Sequence, residues 1–139
     1  MSQDCIFCKI IKGDIPCARV YEDAEVLAFM DIHPVVKGHT LVIPKIHCDP
    51  ITHAPVEALA RSIAVVQRVA RAQYQALQAD GVSVSQANGA AAGQEVPHLH
   101  FHVIPRFKTD NFPRRWQPGD YDSADEMRQF ADRLRAAIT

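Results

Sequence analysis

Apolar and polar positions change period along the chain, and each change marks an element. Lys9-Ile10-Ile11-Lys12-Gly13 has the form of one or two helical turns closed by a glycine. Ile15-Pro16 then opens an extended segment. Arg19–Tyr21 and Val26–Met30, separated by the turn residues Glu22-Asp23, predict a hairpin. Asp31-Ile32-His33-Pro34 breaks that pattern, Lys37-Gly38 makes a further turn, and His39–Pro44 predicts a β-branched third strand. From Pro55 the period becomes helical. Val56, Leu59, Ile63, Val66, Ala70, Tyr74 and Leu77 recur at spacings of three and four and predict one apolar face. Asp80-Gly81 ends that helix, and Val82–Ala87 predicts a fourth strand. Leu99–Ile104 predicts a fifth, stopped by Pro105. Residues 106–121 have no period. Ser123-Ala-Asp-Glu126 has the form of a capping box and predicts a last helix with Met127, Phe130, Leu134 and Ile138 inward. The order predicts an α+β fold: an antiparallel sheet of about five strands, a long helix packed on one face, and a C-terminal helix.

Length and composition narrow this picture. A chain of 139 residues with 47% hydrophobic and 22% charged positions suits one globular domain. No linker splits it, so residues 4–106 form the expected domain and 107–139 an irregular segment and helix packed on it. Fifteen basic against sixteen acidic residues argue against a nucleic-acid binder working by bulk charge. A nucleotide stays open, because backbone N–H groups and neutral side chains hold one or two phosphates. The Met-Ser-Gln-Asp start lacks a basic n-region followed by an apolar run, and no segment approaches a membrane span, so the expected location is cytoplasmic.

The chemistry gathers at two places. Cys5-Ile-Phe-Cys8 is half a metal site or a redox pair. A redox pair wants a preceding strand, for which there is no room, and this favours metal. Pro97-His98-Leu99-His100-Phe101-His102-Val103-Ile104 is the second place. Strand alternation puts His98, His100 and His102 on one face, ~6.6 Å apart, and Leu99, Phe101 and Val103 on the other. Chance seldom sets three histidines at this strict spacing. A metal site takes two of the three, whereas nucleophilic and hydrogen-bonding chemistry on a phosphate uses neutral imidazoles near pH 7.

These residues carry a family resemblance. The His-φ-His-φ-His-φ-φ pattern, where φ is apolar, resembles the signature of the histidine-triad (HIT) superfamily. Cys5 through Pro16, Phe29-Met-Asp-Ile32, Gly38-His-Thr-Leu-Val-Ile-Pro-Lys45 and Asn88 through Gln94 resemble its nucleotide-binding, phosphoramidase-like branch, of the zinc-bearing bacterial type. The resemblance runs in order from about Asp4 to Arg106.

It implies a hydrolase or transferase acting at the α-phosphate of purine nucleotides, on a phosphoramidate or acyl-adenylate. His100 would be the nucleophile and form a nucleotidyl-histidine, with a carbonyl near His98 holding its Nδ1 proton. His102 would contact phosphate, and His39 would stand behind the triad. Gln94 and the Asn88–Gly93 loop would donate to phosphate. Asp31 would accept from the ribose, and Phe7, Ile15, Phe29 and Ile32 would form the base slot, although core packing explains those four equally well. Cys5, Cys8, His47 and His98 would hold one structural zinc, with Cys17 and Cys48 as spectators. A homodimer is implied by the resemblance alone. Dinucleoside polyphosphate hydrolysis is an alternative, as is a nucleotide-binding or scaffold protein with vestigial catalysis. A purely metal-binding role for the histidines leaves His100 and His102 unused. Two departures stand out. Glu95 takes a place where some relatives carry a serine that helps the leaving group, and the tail differs in its Arg114-Arg115-Trp116 run, which fits a surface turn better than a polyphosphate contact.

Overall fold

The computed structural model describes residues 4–110 and 116–139. Arg114 and Arg115 lie outside them. Five strands, β1 (Arg19–Glu22), β2 (Val26–Met30), β3 (Thr40–Pro44), β4 (Gly81–Ser85) and β5 (Phe101–Arg106), form one antiparallel sheet in the order β1-β2-β3-β5-β4. Three helices accompany it: α1 (Ile6–Lys12), α2 (Val56–Leu77) and α3 (Ala124–Ala137). The expected α+β architecture is present.

Every residue of β2 and β3 is buried, because both faces of the central sheet are covered. One face packs Val26, Ala28, Met30, Val42, Leu99, Phe101 and Val103 against Val65, Val66, Val69 and Ala72 of α2 and Leu134 of α3. The other packs Leu27, Phe29, Leu41 and Ile43 against Phe7, Cys5 and Cys8. The triad histidines belong to this second face, beneath the N-terminal segment.

Local chemistry sets the helix ends. Cys5 caps α1, its sulfur accepting from the Cys8 N–H, and Gly13 closes the helix in the left-handed region at φ 87°. The helix therefore starts inside the C-x-x-C and not after it. Ser123 accepts from the Glu126 N–H while the Glu126 carboxylate accepts from the Asp122 N–H, so the capping box forms, shifted by one residue on its return bond.

Three expectations need correction. The inward face of α2 is Ser62, Val65, Val66, Val69, Ala72, Gln73 and Leu77. Val56, Ile63 and Tyr74 are 79%, 48% and 49% exposed. The helix carries two stripes at helical spacing, and the sheet accepts the one with small residues, which lets the backbones approach closely. Pro105 does not stop β5, which continues to Arg106. Pairing with β3 ends at Thr40↔Val103, so Pro105 lies where only β4 still flanks the strand. Finally, His98, Leu99 and His100 precede β5, and His39 precedes β3. The alternation of faces nonetheless holds, since Leu99 joins the α2-side core and His98 and His100 are buried on the other side.

Candidate functional site

Backbone acceptors determine what each histidine offers. His98 is fully buried, and its Nε2 lies 2.9 Å from the Pro44 carbonyl. A carbonyl only accepts, so Nε2 carries the proton and Nδ1 presents a lone pair. That Nδ1 lies 3.4 Å from the Cys5 sulfur, 3.6 Å from the Cys8 sulfur and 3.2 Å from His47 Nδ1, which is itself 3.3 Å from the Cys8 sulfur. Zinc binds sulfur at ~2.3 Å and imidazole at ~2.0–2.1 Å, so tetrahedral geometry separates S and N ligands by ~3.6 Å and two N ligands by ~3.3 Å. Those four distances match, and all four donor atoms lie within 4.8 Å of one another. No disulfide joins any of the four cysteines. Cys48 packs in the α2-side core, on the opposite face from its neighbour His47.

His100 shows the opposite choice. Its Nδ1 lies 2.6 Å from the His98 carbonyl and donates to it. The lone pair is therefore on Nε2. Burial is the main influence on its basicity and lowers its pKa, so this lone pair is unprotonated at neutral pH. The Phe7 ring meets both His98 and His100 edge-on, at 5.8 and 5.1 Å, and joins the two corners.

His39 and His102 form a third unit. The Val35 N–H donates to His39 Nδ1 at 3.1 Å, so neutral His39 carries its proton on Nε2. That proton points to His102 Nδ1, 2.9 Å away, which leaves His102 with its own proton on Nε2. Burial lowers His39 to about 3 and His102 to about 4, so both are neutral at pH 7. Asp31 Oδ2 lies 3.5 Å from His39 Nε2. Asp31, His39 and His102 thus group like a two-histidine, one-carboxylate metal set. The Val35 N–H argues against that use, because it occupies the nitrogen that would have to hold the proton if Nε2 bound a metal. The Val35 N–H, His39 and His102 form a hydrogen-bonded line, with the Asp31 carboxylate beside it.

The chain segment before β3 is fixed from three sides. The Gly38 N–H donates to the Tyr121 hydroxyl at 3.0 Å, and the Gly38 carbonyl accepts from Gln73 Nε2 at 3.1 Å and from Thr40 Oγ1 at 2.9 Å. Gly38 sits at φ +106°, and a Cβ there would lie 2.6 Å from Leu77 Cδ1. The C-terminal segment straps this loop through Gly119 N–H to the Pro34 carbonyl and through Lys37 to Asp122 and Glu126. Trp116 lies edge-on to His39 and His102, with centroids 5.4 and 4.9 Å away. It is therefore not part of a plain surface turn, and its being the chain's one tryptophan is the signal that could have marked it.

Other expected residues are placed as follows. Phe7 and Phe29 are buried in edge contact at 5.5 Å, Ile15 is partly buried, and Ile32 is 62% exposed beside Asp31. The Asp31 side chain is 19% exposed; burial raises its pKa, against the lowering effect of the His33 N–H that it accepts. Asn88 Oδ1 accepts from the Ile51 N–H. Gln94 Oε1 accepts from the Gly89 N–H, and its Nε2 donates to Asp49 and to the Val96 carbonyl. The Gly93 N–H donates to the Ala90 carbonyl. These groups hold the loop's own shape. His33 and His53 are exposed. Among the described residues no helix is long and apolar enough to cross a membrane.

Known proteins share this fold. The family model of the HIT domain matches residues 12–109. The chain is 47% identical over 117 residues to the protein called hit of Bacillus subtilis, covering 84% of this chain and 81% of that one. It is 46% identical over 102 residues to the adenosine 5′-monophosphoramidase hnt1 of Schizosaccharomyces pombe, covering 73% and 74%. The crystal structure of a zinc-bound histidine triad family protein from Mycobacterium smegmatis superposes with a TM-score of 0.87 at 40% identity, over 99% of this chain and 94% of that one. With the family model spanning most of its length and the same fold in its relatives, this chain belongs to the HIT family.

Proposed function

We propose that this protein is a nucleotide hydrolase or transferase that cleaves a bond at the α-phosphorus of a purine nucleotide, in a phosphoramidate or an acyl-adenylate. The observation that carries the reading is the 2.6 Å bond from His100 Nδ1 to the His98 carbonyl, which leaves Nε2 unprotonated. That nitrogen attacks phosphorus, the bond from phosphorus to the leaving group breaks, and a nucleotidyl-His100 forms. The positive charge on the substituted ring is stabilised through Nδ1–H by the same carbonyl. Neutral His102 donates its Nε2–H to a phosphoryl oxygen as charge grows there. It hydrogen-bonds and does not ionise, so a leaving amine takes its proton from solvent. Water then attacks phosphorus and gives its proton to solvent, the bond from phosphorus to Nε2 breaks, and neutral His100 returns with nucleoside monophosphate.

Asp31 accepts from the ribose hydroxyls, and exposed Ile32 with Phe7, Ile15 and Phe29 forms the base slot. Asn88, Gly93 and Gln94 shape the loop beside the phosphate. Cys5, Cys8, His47 and His98 hold a structural zinc; the spacing of the four donor atoms supports this, as does the zinc-bound relative. The metal ties α1 to the segment before β5 and takes no part in bond cleavage. Two copies pair through the stripe of Val56, Ile63 and Tyr74 and the sheet-edge strand β4, whose Val84 is also exposed. The relative named as an adenosine monophosphoramidase favours phosphoramidates. Turnover of a fluorogenic adenosine phosphoramidate, measured beside diadenosine tetraphosphate, tests the reading. Faster turnover of the phosphoramidate is expected, and hydrolysis of neither overturns it.

A further inference from the structure

His39 occupies an unusual position in the hydrogen-bond pattern of its loop. Its backbone N–H donates to the Val36 carbonyl, its carbonyl accepts from the Asp31 N–H, and its Nδ1 accepts from the Val35 N–H. Three of its four polar groups thus fold the segment from Asp31 to His39 back on itself. The fourth, Nε2–H, has two acceptors in view. His102 Nδ1 lies at 2.9 Å and Asp31 Oδ2 at 3.5 Å. His39 is fully buried, and Trp116 lies edge-on to both rings, so water does not compete for this proton. The carboxylate is charged and partly exposed, whereas the imidazole acceptor is neutral and nearer. The proton is therefore bonded on the phosphate side, to His102 Nδ1, and drawn electrostatically from the sugar side by a carboxylate outside hydrogen-bond geometry.

We propose that His39 couples the two ends of the nucleotide site: ribose hydroxyls that donate to Asp31 weaken its pull on His39 Nε2–H, which then bonds His102 Nδ1 more strongly and strengthens His102 as a donor through Nε2. The inference rests on the nucleotide reading above and adds to it a role for the sugar in the chemical step. His39 touches neither sugar nor phosphate and is a positioning residue. A nucleotide without hydroxyls fills the base slot but leaves the carboxylate's pull on that proton unchanged, so His102 donates more weakly when charge develops on the phosphate. The sugar then affects kcat and not affinity alone.

The test is NMR of zinc-loaded protein labelled with ¹⁵N at histidine, with AMP and 2′,3′-dideoxy-AMP as probes. AMP is expected to raise the N–N coupling across the bond from His39 to His102 and to move its proton downfield. Dideoxy-AMP is expected to shift the His100 signals without changing that coupling. Asp31→Asn keeps an acceptor for the His33 N–H but removes the charge, so free Asp31→Asn should already show the coupling of AMP-bound wild type and stay there when AMP is added. At saturation, wild type should turn over the dideoxy phosphoramidate about tenfold more slowly than the ribo form, the size of one weakened hydrogen bond, and Asp31→Asn should turn over both alike. If both nucleotides shift His100 and change the coupling equally, the coupling is wrong and the nucleotide reading stands. If neither shifts any triad signal at millimolar concentration, the nucleotide reading falls and takes the coupling with it.

Discussion

His98 and His100 stand two residues apart on the same face, both buried, and each gives one ring proton to a backbone carbonyl. The difference between them is which nitrogen does so. His98 bonds the Pro44 carbonyl of the neighbouring strand through Nε2, so Nδ1 turns toward Cys5, Cys8 and His47. His100 bonds the His98 carbonyl through Nδ1, so Nε2 is the nitrogen left for a substrate. On the proposed function, two residues of the same type in nearly the same environment serve a metal corner and a reactive corner, and the position of one acceptor each decides which. Residue type makes the chemistry available, and the backbone decides which atom performs it.

Loss of a side chain should separate the two corners, most strongly at His100. His100→Ala should reduce single-turnover hydrolysis on the order of 10⁴-fold while nucleotide affinity stays within a few-fold, because the lost group acts only in the bond-making step. Rapid-quench turnover and titration calorimetry distinguish the two effects; near-normal turnover would refute the covalent route.

At the metal corner the balance reverses. Cys8→Ser, or chelation of wild type, should lower the melting temperature by about 10 °C and change initial turnover at low temperature by only a few-fold. The ligands come from α1, the loop after β3 and the segment before β5, so a metal there closes long loops. Metal analysis and thermal melts check this, and a chelated protein that melts unchanged would show the corner holds no structural ion.

Gly38 probes the support behind both corners. Gly38→Ala meets Leu77 Cδ1 and forces a left-handed φ on alanine, which should cost about 2–4 kcal/mol by denaturant unfolding. Asp31 gives a smaller effect. Asp31→Ala should weaken AMP binding about tenfold and dideoxy-AMP less than twofold, since the His33 bond is lost for both ligands and the hydroxyl contacts for AMP alone. Equal weakening would place the ribose elsewhere.

The last effect is on pH. His39 is held near pKa 3 in the fold, against about 6.5 unfolded, so below pH 6.5 the unfolded chain binds the extra proton first. Its contribution is complete above pH 6.5 and is lost as pH falls toward 3. Melting curves of His39→Gln should therefore show a shallower acid-side decline than wild type over that range.

Much of this site is legible in the amino-acid sequence. The alternating histidines need only strand periodicity to share a face, and two cysteines with two histidines form a set that chance seldom assembles. Less legible is the inward face of α2, where Val56, Ile63 and Tyr74 form as good a stripe as Val65, Val69 and Ala72. Helical period shows that a face exists, and only the partner surface selects it. Pro105 misleads for a similar reason: a missing N–H matters on a flank that carries a ladder, and β3 has ended there. The direction of each imidazole proton is the least legible feature. It depends on the Pro44 carbonyl and the Val35 N–H, backbone groups that carry no sequence signal and are positioned by the whole sheet.

The division of labour among the histidines rests on those proton positions, and long-range ¹H–¹⁵N correlation spectra of zinc-loaded protein at pH 7 report them ring by ring. Nε2–H is expected for His39, His98 and His102, and Nδ1–H for His100 alone. A spectrum with the His100 proton on Nε2 would leave no lone pair for phosphorus and would refute the mechanism.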